Sequence, residues 1–174
     1  MITIISSTNR ANSLTKSISL YYQSLLNQKN ILNQILDLSE LPKDFVFSAL
    51  YENSGKNLIF NQFQEIIDQN DKFVFILPEY NGSFPGVLKT FIDGLRYPDS
   101  LKNKKAALVG LSSGIQGGVL AMSHLTDILN YLSMEVLSLK VKLAKIQSNF
   151  KNNQITNDFY NELLNQQIDN FLKM

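Results

Sequence analysis

Three short stretches of the chain are almost wholly apolar, namely residues 2–5, 73–77 and 106–111. None of them alternates with polar residues, as a strand with one face in water would. Strands that are apolar on both sides are typical of a parallel sheet covered by helices on both faces. Residues 33–37 and 135–139 are two weaker strand candidates. The pattern therefore predicts five strands in a covered parallel sheet.

Between the predicted strands, apolar residues recur at the three- and four-residue spacing of a helix. The five stripes are Leu14, Ile18, Tyr21/Tyr22 and Leu25; Leu58, Phe63 and Ile66/Ile67; Val87/Leu88, Phe91/Ile92 and Leu95; Leu125, Ile128/Leu129 and Leu132; and Phe159, Leu163/Leu164, Ile168 and Phe171/Leu172. Strand and helix thus alternate, which predicts a three-layer α/β fold with right-handed crossovers. Because a typical domain has about 150 residues, we expect a single domain over residues 1–174.

Two segments fall outside this alternation. Residues 39–56 form a long connection that carries Phe45, Phe47 and Tyr51. Long connections in compact domains often cover a site or a partner. Residues 140–155 are basic at first and then rich in asparagine, and we expect a surface excursion there before the last helix.

Composition and charge exclude several classes of function. Sixteen basic and fifteen acidic residues leave a net charge of +1, so no strong field attracts nucleic acid or an anionic membrane. The lack of cysteine excludes thiolate nucleophiles and cysteine-bound metals, and the single histidine excludes sites that need two. No stretch reads as a signal peptide or approaches the ~18 apolar residues of a membrane span. We therefore expect a cytoplasmic protein without nucleic-acid, membrane or metal partners, whose chemistry comes from a bound cofactor.

Glycine and proline are concentrated after two of the predicted strands. Seven of the eight glycines lie between residues 82 and 118, and three of the four prolines lie between residues 78 and 98. Glycine is needed where the backbone approaches a ligand or takes a positive φ. In open α/β sheets, ligands bind beyond the carboxyl ends of the strands. The placement favours a ligand site, with ordinary turn chemistry as the alternative.

The segment after the first strand, residues 7–15, is dense in hydroxyl groups and carries one arginine. It contains neither GxGxxG nor GxxxxGK[ST], so the dinucleotide fingerprint and the P-loop are both excluded. Hydroxyls and free amides at a helix N-terminus still make an anion site. The pattern favours a phosphate monoester here, and the alternative is a simple helix cap by Asn12 or Ser13.

The stretch after the third strand carries the most specific motif of the chain. It reads Pro78-Glu79-Tyr80-Asn81-Gly82-Ser83-Phe84-Pro85-Gly86-Val87-Leu88-Lys89-Thr90-Phe91-Ile92-Asp93. This closely resembles the P-x-Y-N-x-[SG]-x-P-G-x-L-K-x-x-[IL]-D signature of the NAD(P)H-dependent FMN reductases, a family that includes quinone, chromate and azo-dye reductases.

Two weaker pieces extend the resemblance, which runs from residue 2 to about residue 140. Thr8-Asn9-Arg10 with Ser13 resembles the S-x-R-x-x-S phosphate loop of the family. The run from Ser112 to Gly118 resembles its glycine loop. The chain departs from the family at Ser7, where glycine is usual, and at Gly94, where tryptophan is frequent.

The resemblance implies an FMN site built from three loops. Its phosphate contacts would be Thr8, Arg10, Ser13, Leu14 and Thr15. The ribityl chain and one ring edge would lie along Pro78, Glu79, Tyr80, Asn81, Gly82 and Ser83, with Glu79 acting through its backbone. The other ring edge would face Ser113, Gly114, Gly117 and Gly118. No catalytic side chain and no metal ligand is implied, because the flavin carries the chemistry, and we interpret His124 as a packing or interface residue.

The resemblance also implies a flavodoxin-like fold, with a five-stranded parallel sheet of order 2-1-3-4-5. The implied function is that of an FMN-dependent NAD(P)H oxidoreductase. Hydride would pass from NADPH or NADH to the flavin and on to a small electron acceptor, such as free flavin, a quinone, an azo compound or a metal oxyanion.

A homodimer or tetramer is expected from the apolar residues around the helix that follows residue 83. That segment carries Phe84, Pro85, Val87, Phe91 and Leu95, which is more apolar surface than one core stripe needs. Two other functions remain open. One is a flavodoxin-type one-electron carrier, which the near-neutral charge disfavours, and the other is a flavin-free α/β domain in an assembly, which the hydroxyl-rich loop disfavours.

Overall fold

Strands and helices alternate along the chain in the computed structural model, which describes residues 1–174. The strands are β1 (Ile2–Ser6), β2 (Asn33–Asp37), β3 (Lys72–Pro78), β4 (Lys105–Leu111), β5 (Glu135–Val136), β6 (Val141–Leu143), β7 (Phe150–Lys151) and β8 (Gln154–Ile155). The helices are α1 (Leu14–Gln28), α2 (Phe45–Ser48), α3 (Leu58–Asp68), α4 (Gly86–Gly94), α5 (Val119–Tyr131), α6 (Ile146–Asn149) and α7 (Asp158–Lys173). All five predicted helices are present.

The main sheet is parallel and has the strand order β2-β1-β3-β4-β5, with β6 also paired to β4. This order confirms the predicted flavodoxin-like arrangement. After β1 the chain adds β2 on one side and then crosses to β3 on the other side. The order therefore reverses between β1 and β3, which is where an open α/β sheet leaves a crevice for a ligand.

The continuous apolar strands are explained by two cores, one on each face of the sheet. Ile5, Phe73 and Phe75 contribute to one core, which α3, α4 and α5 cover. Ile4 and Val74 contribute to the other, which α1 and α7 cover. Because successive residues of a strand point to opposite faces, both faces must be apolar.

The fifth position of the sheet differs from the single strand predicted over residues 135–139. Only its first two residues pair with β4, and the pairing resumes at β6, three positions further along β4. Gln167 of α7, which is fully buried, donates hydrogen bonds to the carbonyl oxygens of Leu108 and Leu139, each at 2.9 Å. A side-chain amide from a distant helix thus satisfies backbone groups at the interruption.

The predicted surface excursion over residues 140–155 is wrong in its first part. Val141 and Leu143 of β6 are fully buried, and Ile146 of α6 is also in the core. The alternation that makes this a strand is short, and the lysines between and beside its apolar residues conceal it. Within the β7–β8 hairpin, the exposed residues 151–154 fit the expectation, whereas Ile155 of β8 belongs to the core.

Residues 39–56 divide between core and surface. Phe45 is buried and stacks on Phe60 with 5.9 Å between the ring centroids. Phe47 and Tyr51 instead stand out into solvent, with exposed fractions of 79% and 80%. The segment therefore closes one end of a core and presents two aromatic rings outward.

The apolar surface predicted around α4 is mostly used within the molecule. Phe91 and Leu95 are buried in the core beneath α3 and α4, and Pro85 is buried as well. The expectation of surplus surface from these residues is therefore wrong. Gly94 lies so close to Phe60 that a Cβ atom would approach its ring to 2.6 Å, so this packing leaves no room for a tryptophan.

None of the helices combines the length and the apolar character that crossing a membrane requires.

Candidate functional site

Three loops meet at one edge of the sheet, beyond the carboxyl ends of β1, β3 and β4. Because these strands are parallel neighbours, the residues that follow them lie side by side. The loops and the start of α6 border a cavity of about 490 Å³. It is lined by Arg10, Asn12, Ser13, Leu14, Thr15, Ser17, Pro78, Glu79, Tyr80, Leu111, Ser112, Ser113, Ile146 and Gln147.

The cavity brings together part of the predicted site and adds residues that were not predicted. The predicted residues that line it are Arg10, Ser13, Leu14, Thr15, Pro78, Glu79, Tyr80 and Ser113. Those that do not line it are Thr8, Asn81, Gly82, Ser83, Gly114, Gly117 and Gly118. The sequence could have indicated Ser17, because it lies one helical turn beyond Ser13 on α1. It could not have indicated Ile146 and Gln147, because they belong to the segment that the sequence predicts to lie on the surface.

The first loop ends in the cap of α1. Ser13 is the cap residue, and its Oγ accepts a hydrogen bond from the amide of Lys16 at 3.2 Å. The capping interpretation is therefore correct for Ser13, which also lines the cavity. The first turn of α1 contains no acidic residue, and the first amides of a helix have no acceptor within it. Arg10 lies at this end of the cavity, is exposed and forms no ion pair. The positive charge of Arg10 and the free amides of α1 together favour an anion here.

Thr8 has a different place from the one predicted. Its side chain is fully buried, and its hydroxyl is hydrogen-bonded to the hydroxyl of Tyr80 at 3.0 Å. It also accepts a hydrogen bond from the amide of Arg10 at 3.3 Å. Thr8 therefore ties the first loop to the second within the protein, and it shapes the cavity without lining it.

The second loop is a tight turn at residues 80–83. Tyr80 and Ser83 exchange backbone hydrogen bonds of 2.7 and 3.0 Å, and Asn81 and Gly82 between them both have positive φ, of 51° and 73°. An Asn-Gly pair is the sequence that such a turn favours. Ser83 is further held by a 2.9 Å hydrogen bond between its hydroxyl and Nδ1 of His124 on α5. The turn is thus fixed at both ends, by Thr8 and by His124.

Glu79 lines the cavity, but its backbone amide is used within the sheet. Its amide donates to the carbonyl oxygen of Leu111 at 3.0 Å and so extends the pairing of β3 with β4. Its carboxylate oxygen Oε2 is buried and has no hydrogen-bond partner. The amide of Glu79 is therefore not free to bind a ligand, and the expected backbone role of this residue stays a prediction.

The third loop is held by Ser112. Its hydroxyl donates to the carbonyl oxygen of Gly114 at 3.0 Å and accepts from the amide of Gly117 at 2.9 Å. Gly118 has a φ of 76°, and a Cβ there would lie 2.9 Å from the Cα of Gly110 in β4. Gly117 and Gly118 thus allow the loop to pack on the protein itself, and only Ser112 and Ser113 reach the cavity.

A larger groove of about 690 Å³ lies elsewhere, between α5, the edge of the sheet near residues 138–142 and α7. It contains no residue of the loops that follow β1 and β3. Ligands of open α/β sheets bind at the point where the strand order reverses. Position and chemistry, and not size, therefore identify the smaller cavity as the candidate site.

These features define an α/β protein of flavodoxin-like fold, with a cavity at the reversal point of its sheet whose lining at the start of α1 favours an anion. Residues 1–147 match the NADPH-dependent FMN reductase family, and the chain belongs to that family.

Curated relatives agree with this assignment, and a solved structure shares the fold. The chain is 34% identical over 111 residues to an NAD(P)H-dependent FMN reductase of Pseudomonas aeruginosa, and the matched residues make up 62% of this chain and 60% of that protein. It is 30% identical over 106 residues to a 2-hydroxy-1,4-benzoquinone reductase of a Burkholderia species, and this match makes up 59% of this chain and 56% of that protein. The matched part thus spans less than two thirds of these relatives. The flavoenzyme NAD(P)H:(acceptor) oxidoreductase of Paracoccus denitrificans shares the fold, with a TM-score of 0.78, 24% identity, and 99% and 94% of the two chains covered.

Proposed function

We propose that this protein is an FMN-dependent NAD(P)H oxidoreductase that reduces a small electron acceptor. The observation that carries the proposal is the cavity beyond β1, β3 and β4, with hydroxyls and an unpaired arginine at one end, in a chain of the NADPH-dependent FMN reductase family. Bound FMN would supply the hydride chemistry, taking two electrons from a nicotinamide and passing them to the acceptor.

The phosphate of FMN would be held at the start of α1. Arg10 supplies a fixed positive charge there, Ser13 and Thr15 supply hydroxyls, and the first amides of the helix point the same way. Hydrogen bonds to a charged group contribute about 1.5–3 kcal/mol each. A few such bonds are enough to anchor the cofactor.

The flavin ring would be oriented by the second and third loops. Pro78 and Tyr80 line the cavity on one side, and Ser112 and Ser113 line it on the other. We propose that Asn81, Gly82, Ser83 and Gly114 border the ring outside the cavity as it stands. The hydrogen bonds of Tyr80 and Ser83 to other elements keep this turn in place before the cofactor arrives, which reduces the ordering cost of binding.

The acceptor is proposed to be a quinone. Several relatives are quinone reductases by name, one of them in Escherichia coli, which is 43% identical over 76 residues, or 42% of this chain and 40% of that protein. Azo compounds, free flavin and metal oxyanions are the other candidates. Steady-state oxidation of NADPH and NADH by the FMN-loaded protein, measured across these acceptors, tests the proposal. We expect turnover with a quinone, and the absence of turnover with every acceptor would contradict an enzymatic role.

We further propose that the protein forms a homodimer, or a tetramer of two such dimers, through a groove of about 610 Å³ between α4 and α5. Tyr51, Tyr97 and Tyr131 stand out from it with exposed fractions of 80%, 75% and 77%. Both Tyr97 and Tyr131 line this groove, so the two rings belong to one surface. Exposed tyrosines are enriched in protein interfaces.

A second copy of the chain is the partner that suits this groove. Its rim carries both signs of charge, from Lys89 and from Asp93 and Asp127, so a two-fold contact can pair it with itself. Both helices follow loops of the candidate site, and a dimer formed there brings two sites towards its interface. We also propose that residues 1–174 act as one domain and that the protein works in the cytoplasm.

A further inference from the structure

The groove between α5, the edge of the sheet and α7 has no part in the proposed function. It has a volume of about 690 Å³, and its apolar lining includes Met122 of α5 and Phe159 of α7, whose ring is 61% exposed. Two lysines, Lys140 and Lys142, also line it, and neither forms an ion pair. The groove therefore combines apolar surface with unpaired positive charge.

The base of the groove is an open edge of the main sheet. β5 and β6 pair with β4 on one side and with no strand on the other. Between these two strands, the backbone amide and carbonyl groups of Ser138 and Lys140 take part in no hydrogen bond of the protein. Leu137 donates its amide to Ala106 of β4, and the alternation of a strand backbone turns the groups of Ser138 and Lys140 to the other side. Such an edge can accept an extended segment as a further strand.

The charge around the groove decides which kind of strand fits. Between Glu135 and Asp158 the chain has four lysines and no acidic residue. Lys142 lies beside the third loop, since a Cβ at Gly117 would approach its Cβ to 2.9 Å, and Asp127 is the single acidic residue of the lining. A second copy in a two-fold contact would bring the same lysines against these, and like charges on facing strands are destabilising. The basic edge thus disfavours self-pairing and favours an acidic strand.

Protection against aggregation does not account for the whole groove. Lysines on an edge strand do hinder pairing between copies. That protection needs only the charge, and it does not require the apolar side chains that α5 and α7 present on either side of the edge. Walls of this kind are what an added strand needs for its own apolar side chains.

We propose that this groove binds an extended acidic segment of a partner protein, which pairs with the edge at Ser138 and Lys140 as an added strand. Side chains of successive strand residues point to opposite faces of a sheet. Leu143 belongs to the core that α7 covers, so Lys142 lies on the face of α5. Acidic residues of the segment meet the lysines on that face, and the residues between them meet Phe159 on the other. The ligand is therefore a strand in which acidic and apolar residues alternate.

The test uses synthetic peptides of about six residues, a usual strand length. The first alternates glutamate with valine. In one control peptide lysine replaces every glutamate, and in the other every backbone amide of the glutamate peptide is N-methylated, which removes the donors to the edge and keeps the charge. Fluorescence anisotropy of the labelled peptides measures their binding to the full chain.

We expect the glutamate peptide to bind the wild type about tenfold or more tightly than either control peptide, because each control lacks one of the two kinds of contact. Lys140→Glu combined with Lys142→Glu should weaken its binding by about tenfold or more. The matched control, Lys102→Glu combined with Lys151→Glu, makes the same change of net charge at exposed lysines outside the groove. Equal binding of the three peptides, or equal losses in the two double variants, would overturn the proposal.

Hydrogen exchange shows whether the peptide adds to the sheet as a strand. With the glutamate peptide bound to the wild type, the amides of Ser138 and Lys140 should exchange about tenfold or more slowly, and unchanged exchange there would overturn the proposal. This measurement needs no variant, so it decides even if the charge-reversed groove variant fails to fold.

Light scattering tests the alternative occupant, a second copy of the chain. The mass of the wild type should be the same as that of the variant in which both Lys140 and Lys142 are replaced by glutamate. A change of mass in this variant, with none in the matched control, would assign the groove to a contact between copies and overturn the proposal.

Discussion

Single residues decide how the cavity recognises a ligand, and several of them act differently from what their position in the sequence suggests. Thr8 matches the serine of a phosphate loop, yet its hydroxyl is bonded to Tyr80 inside the protein. The position of Glu79 in the motif suggests a backbone contact with the ligand, yet its amide donates its hydrogen bond to Leu111 of β4. The sequence predicted which segments surround the cavity but not which atoms remain free, because hydrogen bonds between loops far apart in the chain decide that.

The hydroxyls at the start of α1 give the first prediction. Replacement of both Ser13 and Thr15 by alanine should weaken FMN binding by about 2 kcal/mol or more, because two contacts to the phosphate are lost. Calorimetric titration measures the change. Ser24→Ala, near the other end of the same helix, is the control and should bind FMN as the wild type does.

Since Ser13 also caps α1, the double variant should lose about 1 kcal/mol of unfolding free energy. Urea unfolding measures this loss separately from binding. An unchanged affinity for FMN in a folded double variant would show that the phosphate does not lie at this helix.

At the scale of helices and strands, the sequence predicted what is periodic and missed what depends on distant partners. Continuous apolar runs identified β1, β3 and β4, and helical stripes identified the five long helices. The interrupted edge of the sheet was missed, because Gln167 completes it from the end of the chain. A polar residue within a helical stripe gives no sign of the strand that it will reach.

The free energy of unfolding should depend strongly on Gln167, which completes the edge of the sheet. Gln167→Leu leaves the buried carbonyl oxygen of Leu108, the partly buried carbonyl oxygen of Leu139 and the buried hydroxyl of Tyr22 without this partner. An unsatisfied buried group costs about 1–3 kcal/mol, so we expect a loss of at least about 2 kcal/mol in urea unfolding. The neighbouring exposed residue provides the control, Gln166→Leu, and equal stability of the two variants would refute the role of Gln167.

The loop after β4 offers a matched pair of glycines. Gly118→Ala places a methyl group 2.9 Å from Gly110 at a φ of 76°, whereas a Cβ at Gly114 meets nothing within 4 Å. Left-handed backbone costs about 1–2 kcal/mol and overpacking about 1–3 kcal/mol. Thermal unfolding should therefore show a loss of about 2–4 kcal/mol for Gly118→Ala and little change for Gly114→Ala. The reverse order of the two variants would contradict this account of the loop.

At the scale of the whole molecule, the proposed contact surface between two copies consists of the exposed tyrosines near α4 and α5. It does not consist of the apolar residues around α4 that the sequence suggested. The residues chosen from the sequence are largely core, because periodicity alone cannot show which apolar residues of a helix its neighbours cover. Tyr97 lies beyond the end of α4 and Tyr131 at the end of α5, so no single stripe contains both. Their position along one groove is a property of the assembled fold.

The dimer is tested by its mass. The wild type should scatter light as about twice the 19.7 kDa of the chain, and Tyr131→Arg should shift it towards the monomer, because two charges would be buried at a two-fold contact. Leu32→Arg, at another exposed apolar residue, should leave the mass unchanged. A wild-type protein that is wholly monomeric at micromolar concentration would exclude the dimer.

The central claim, that the cavity beyond β1, β3 and β4 holds FMN, is tested most directly by a crystal structure of the protein with FMN. The account predicts density for the phosphate within hydrogen-bonding distance of Arg10, Ser13 and Thr15, with the flavin ring towards Tyr80 and Ser113. Flavin density in the groove between α5 and α7, with this cavity left to solvent, would contradict it.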